Sequence, residues 1–171
     1  MHLCSCYCFC PKQTYSFLSG RGNPPSYSKF SRLVVTSYMN YWLMKTEPGT
    51  FSWDDLVRDK KAVWDGVRNF QARNNLKAMK KGDFTFIYHS MDDKAVIGIA
   101  EITREYFPDP KDNAWVAVEI KPVKKLKNPV TLGDIKQEKR LASMVLVRNS
   151  RLSVQPVKKE EFDHVIGMSV K

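Results

Sequence analysis

The chain has 171 residues, 43% of them hydrophobic and 12% aromatic, with a formal charge of +10. That is enough apolar material for one domain with a buried core and an appendage, and no second domain is expected. A basic body favours polyanion partners such as nucleic acid, although solubility alone accounts for such a surplus, and no apolar run approaches the roughly 20 residues that a membrane-spanning helix needs.

Cys4, Cys6, Cys8 and Cys10 alternate within the first ten residues. This spacing suits neither a zinc knuckle nor a disulfide framework, and no metal site is expected there. The start lacks the basic, apolar and small-residue succession of a signal peptide, so a cytoplasmic protein is expected, or a nuclear one in a eukaryotic source. Residues 11–37 are rich in Ser, Pro, Gly and Tyr without a sustained apolar period, the composition of a disordered tail. Met39 opens the first segment with a folded pattern. Residues 1–38 are accordingly expected to be a disordered or spurious upstream extension, and residues 39–171 the domain.

Tyr41 to Lys45 reads as a short strand, and Thr46-Glu47-Pro48-Gly49 as a turn. Ser52, with Asp55 three residues on, predicts a capped helix through about Asp59. Asn69 is placed to cap the next helix, whose Ala72, Leu76 and Met79 form the buried stripe and which Gly82 is expected to end. Arg73, Lys77 and Lys80 repeat the same spacing on another flank, facing water or phosphate. Strands follow at 83–90, 95–106 and 115–124, the first two joined by a tight turn at Met91-Asp92-Asp93. Their near-continuous apolar character, as in Val96-Ile97-Gly98-Ile99-Ala100, predicts a sheet covered on both faces. Thr131 with Asp134 caps a further short helix, Leu152 to Val157 is a strand, and Lys158 to about Met168 a terminal helix. The order is mixed and without repeats, which predicts an α+β fold built round a small, strongly curved β-barrel with peripheral helices.

The stretch "WDGVRNFQARNNLKAMKKGD", residues 64–83, crowds Trp64, Arg68, Asn69, Gln71, Arg73 and Asn74 into the approach to a helix that needs few of them. An indole beside an amide and a guanidinium offers a flat aromatic ligand a stacking face and edge donors. Gly66 lets the backbone come close. Together with "YWLMKTEP" at 41–48, "YHS" at 88–90, "GIAEI" at 98–102 and "LVRNSRLSVQPV" at 146–157, this stretch resembles the successive signatures of the EVE domain family, within the PUA-like superfamily. The resemblance covers essentially all of residues 39–171, in order, and leaves residues 1–38 without a counterpart. It implies a PUA-like barrel that binds nucleic acid, with a pocket for a modified base such as 5-methylcytosine or 5-hydroxymethylcytosine. It implies no cofactor and no metal.

Trp64, Arg68 and Asn69 are the first-rank candidates for contact with the base. Motif matching adds Lys45 and Thr46, whose Lys45 otherwise reads as half of a surface ion pair with Glu47. Strand alternation puts Tyr88 and Ser90 on one face, with Ser90 able to read a base edge, and leaves His89 to pack on the other. Ser153 and Gln155 share a face of their strand and match the late motif, as second-rank candidates. Arg73, Lys77 and Lys80, with Arg148 and Arg151, are candidates for phosphate contact, as are Arg140 and the lysines of 121–127. Enzyme chemistry has little to stand on, since there is no nucleophile elbow, phosphate loop or metal-spaced His or Cys pair. His89 with Asp83 or Glu101 is the one arrangement left open for a hydrolase. The expected partner is therefore DNA with a modified cytosine, or RNA bound by a general PUA-type module.

Overall fold

The computed structural model describes residues 39–91 and 93–170. Residues 1–38, and with them the four cysteines and the expected tail, lie outside the described residues.

Strand β1 (Tyr41–Thr46) is followed by helix α1 (Trp53–Asp59). Ser52 starts that helix with a capping box: its Oγ accepts from the Asp55 N–H at 3.1 Å while Asp55 Oδ2 accepts from the Ser52 N–H at 2.9 Å. Lys60, in the left-handed region at φ 62°, stops it. A three-residue strand, β2 (Ala62–Trp64), then leads into helix α2 (Phe70–Ala78), capped by Asn69 Oδ1 on the Ala72 N–H at 3.0 Å. Ala72, Leu76 and Met79 are fully buried as the spacing predicts. The helix, however, ends at Ala78 with an extended Met79, earlier than the expected stop at Gly82. Strands β3 (Phe84–His89), β4 (Ala95–Asp109) and β5 (Asp112–Thr131) follow, then α3 (Leu132–Gln137), a 3-10 turn at Lys139–Leu141, α4 (Val145–Arg148), β6 (Val154–Val157) and α5 (Lys159–Met168). The capping box predicted at Thr131 and Asp134 is present.

The six strands form one mixed sheet in the order β2-β5-β4-β3-β1-β6. β1 runs parallel to β3, and all other neighbours are antiparallel. Register shifts recur along the β4–β5 ladder and bend it. Helix α2 packs on both β5 and β6, which lie near opposite ends of the strand order, so the sheet curls around it. The result is the α+β, curved architecture that the mixed element order predicts.

Both faces of the sheet are covered, which is why its strands read as continuous apolar runs. On one face Trp42, Met44, Ile87 and Ile102 pack with Trp53 and Leu56 of α1 and Leu76 of α2. On the other, Leu43, Phe86 and Val96 pack with Ile135, Leu146 and Phe162 from the later helices. Gly98 sets how closely α1 approaches: a Cβ there would lie 2.4 Å from the Trp53 ring. No helix among the described residues is long and apolar enough to cross a membrane.

Candidate nucleic-acid interface

The chain from β1 to α1, the end of β2 with the loop after it, the β4–β5 hairpin and the lead into β6 meet around a cleft of about 430 Å³. This lies within the usual size range of small-molecule sites. Phe51 and Trp64 give it aromatic walls, their rings edge to face at 6.2 Å. Lys45, Arg68, Lys111 and Ser153 supply polar groups at its rim.

Each wall is held by identifiable bonds. Thr46 Oγ1 donates to the Phe51 carbonyl at 2.7 Å and closes the 46–51 turn. Ser90 backs it from the next strand, its N–H and Oγ both donating to the Thr46 carbonyl, at 2.8 and 2.9 Å. Lys45 makes no ion pair with Glu47. Its backbone N–H donates to the Ser153 carbonyl at 2.9 Å and its Nζ to the Ser150 carbonyl at 2.6 Å, while the ammonium lies 5.4 Å from the centre of the Tyr88 ring. Burial pulls the Lys45 ammonium below the ordinary lysine range.

The opposite wall hangs on Asp109, whose carboxylate is fully buried. It accepts from the Gly66 N–H at 3.0 Å, Arg68 Nη1 at 2.9 Å and the Lys111 N–H at 2.8 Å. Burial by itself pushes this carboxyl up, but the Arg68 guanidinium and the two backbone donors outweigh it and hold the pKa at about 2. Gly66, at φ +75°, takes the left-handed conformation that aims its N–H at Asp109. Lys111 Nζ in turn pairs with Asp65 at 3.0 Å.

Of the sequence candidates, Trp64, Arg68, Lys45, Thr46 and Ser153 come together in this cleft. Trp64 ends β2, is only 8% exposed, and belongs chiefly to the core. Asn69, Tyr88, Ser90 and Gln155 are not among the lining residues. Asn69 Oδ1 is used on the helix cap, and Tyr88 packs in the core on the other side of the sheet. Gln155 is fully buried, with Nε2 donating to the carbonyls of Asn149 and Leu152 at 3.1 and 2.7 Å. Ser90 acts behind the wall, through Thr46.

The cationic stripe also comes apart. Arg73 folds onto Trp115 and donates to the Ala114 carbonyl at 3.2 Å, and Lys80 lies beyond the end of α2, paired with Glu105 at 3.0 Å. Lys77 is exposed on the last turn of α2, and Arg148 and Arg151 are exposed at and just after α4. None of these three has an ion-pair partner among the described residues.

Phe51, Asp65, Asp109 and Lys111 are site residues that the sequence reading missed. Phe51 follows a Pro-Gly turn that points to a shaped loop, but Asp109 carries no local signal. The hydrolase arrangement does not assemble. His89 Nε2 accepts from the Trp53 N–H at 3.1 Å and Nδ1 lies 2.9 Å from Asp93. Asp83 is used elsewhere, accepting from the Trp42 indole at 3.0 Å and the N–H groups of Asn40 and Lys80. Among the described residues no group of three or more His, Cys, Asp or Glu is arranged to hold a metal ion.

Mouse thymocyte nuclear protein 1 is 36% identical over 165 residues, spanning 75% of this chain and 73% of its own. The solved structure of a Rhodopseudomonas palustris protein has 48% identity and a TM-score of 0.74 over 77% of this chain and 94% of that one. Human THYN1, solved in complex with DNA containing 5-methylcytosine, has 33% identity and a TM-score of 0.72, over 77% and 98%. The fold is thus the PUA-like α+β fold of these neighbours. Residues 40–168 match the EVE domain, and the chain belongs to the EVE domain family.

Proposed function

We propose that the chain is a non-enzymatic DNA-binding domain that admits one modified cytosine, 5-methylcytosine or 5-hydroxymethylcytosine, to the cleft between Phe51, Trp64 and Arg68. The observation that carries this reading is the cleft's make-up: two aromatic walls and a cationic rim, on a fold whose human relative was solved with 5-methylcytosine DNA. The name of the mouse relative favours a nuclear site of action.

The base reaches the cleft by flipping out of the duplex. The C5 substituent of cytosine lies in the major groove, where a helix reads it without flipping. Here the contacts come instead from a turn, a strand end, a loop and a hairpin around a recess, which no intact base pair enters. Extrusion costs a few kcal/mol, offset by stacking worth about 1 to 3 kcal/mol and by hydrogen bonds to the base edge. Lys45 and Arg68 supply donors for the carbonyl and ring nitrogen of cytosine. Lys77, Arg148 and Arg151 are exposed cations available to the phosphates on either side.

A binding panel of short duplex and single-stranded DNA and RNA, each modified cytosine against its plain counterpart, tests the reading. The wild-type domain should prefer the modified DNA. Trp64→Phe, which keeps an aromatic wall and most of the core volume, should retain the fold and weaken that preference. Trp64→Ala should abolish it while salt-sensitive binding persists, and its thermal melt must be read alongside, because emptying a buried Trp site costs about 3 to 5 kcal/mol. A fluorescent base analogue at the target position should brighten on binding. Equal affinity for modified and plain strands, with the probe still quenched, would overturn the proposal.

A further inference from the structure

Outside the cleft, the most exposed large hydrophobic side chain among the described residues is Phe70, at 67%. It is the first residue of α2, and it is not isolated. Its ring lies 5.3 Å from that of Trp115 at a tilt of 37°. The Arg73 guanidinium sits 4.8 Å from the Phe70 ring centre and 5.3 Å from that of Trp115, anchored by its bond to the Ala114 carbonyl. Arg68 also approaches Trp115, at 5.6 Å.

Four side chains are therefore held together at the surface, and the aromatic at their outer edge stays open to water. A ring left two-thirds exposed adds little to the core, while its cation–π contact with Arg73 helps fix its position and sets positive charge beside it. Arg68 belongs both to this cluster and to the cleft wall, so the two sites are continuous. A flat, anion-linked partner fits such a surface: the aromatic faces stack on a ring and the arginines meet its phosphate.

Resting on the base-reading role of the cleft, we propose that Phe70 and Trp115, positioned by Arg73, form a stacking platform for the nucleobase next to the one held in the cleft. The domain thereby grips two consecutive nucleotides. Arg68 lies at the step between them, and the platform selects for a strand that is unstacked there without reading its sequence.

The test uses the full chain and a short single-stranded DNA with one 5-methylcytosine, whose 5′ or 3′ neighbour is replaced in turn by an abasic site. For the wild type, one of the two abasic positions should weaken binding roughly 5- to 150-fold, the equivalent of one base–aromatic stack. Phe70→Ala should lose the same factor on the intact strand and nothing more on the abasic one, and Phe70→Trp should restore it. Because Phe70 is exposed, the alanine variant should melt like the wild type. Undiminished binding by Phe70→Ala, or an abasic penalty that persists in it, would overturn the platform. Failure of the cleft reading looks different: no preference for 5-methylcytosine over cytosine, with the Phe70 and abasic pattern intact.

Discussion

Removing the Asp109 carboxylate should loosen the cleft and weaken the domain in a pH-dependent way. Asp109→Asn keeps the shape but turns part of a buried acceptor into a donor facing other donors. Two backbone N–H groups and a guanidinium lose a charged partner. Hydrogen bonds to a charged group are worth about 1.5 to 3 kcal/mol each. They do not add here, since Arg68 is 42% exposed and can rehydrate. A loss of about 2 kcal/mol at pH 7 follows for Asn, and about 3 kcal/mol for Ala. The folded pKa of about 2 lies below the ordinary 3.8. The stability this provides is fully present above the unfolded value and is lost as pH falls through the folded one. The linkage amounts to at most about 2 kcal/mol, of which about 1 should be gone by pH 3. Urea unfolding of wild type and Asp109→Asn at pH 7 and pH 3 reads this directly, and the gap between them should narrow by that amount. A gap under 0.5 kcal/mol at pH 7, or one of equal size at both pH values, would refute the reasoning.

Gly98→Ala should destabilise the domain by about 1 to 3 kcal/mol, because its Cβ would meet Trp53 ring carbons that α1 and the sheet hold in place; chemical denaturation measures it. Lys77→Ala, Arg148→Ala and Arg151→Ala should each weaken modified and plain oligonucleotides alike and lower the salt slope by about one unit, as a titration across ionic strengths would show. Lys80→Ala should have a smaller effect in the same titration, since its ammonium is already paired with Glu105.

What was legible in the sequence was what is local. The capping boxes at Ser52 and Thr131 and the Asn69 cap are read within four residues, and each forms as the spacing demands. The burial of Ala72, Leu76 and Met79 follows from helical period alone. Strand β2 escaped because three residues are too few to show an alternation. Asp109 escaped for a different reason: its partners Gly66 and Arg68 are 43 and 41 positions away, and nothing near it in the chain foretells that they meet. The Arg73, Lys77 and Lys80 stripe fails because helix period applies only within a helix, and α2 stops before Lys80. Asn69 shows how one residue type fits two roles: the amide that would suit a base edge is also a good N-cap, and here its oxygen serves the cap.

The pairing of β1 with β6 joins residues near the two ends of the domain, Tyr41 opposite Val157. Through it Lys45 meets Ser150 and Ser153, so one wall of the cleft is made by chain segments that are neighbours only when everything between them is folded. In kinetic terms this is the costliest loop to close, whereas the β4–β5 hairpin is local and can form on its own. Occupancy of the cleft is consequently a measure of the whole domain's integrity. A ligand should raise the barrier to global unfolding and protect amides in β1 and β6 from hydrogen exchange far from any contact it makes.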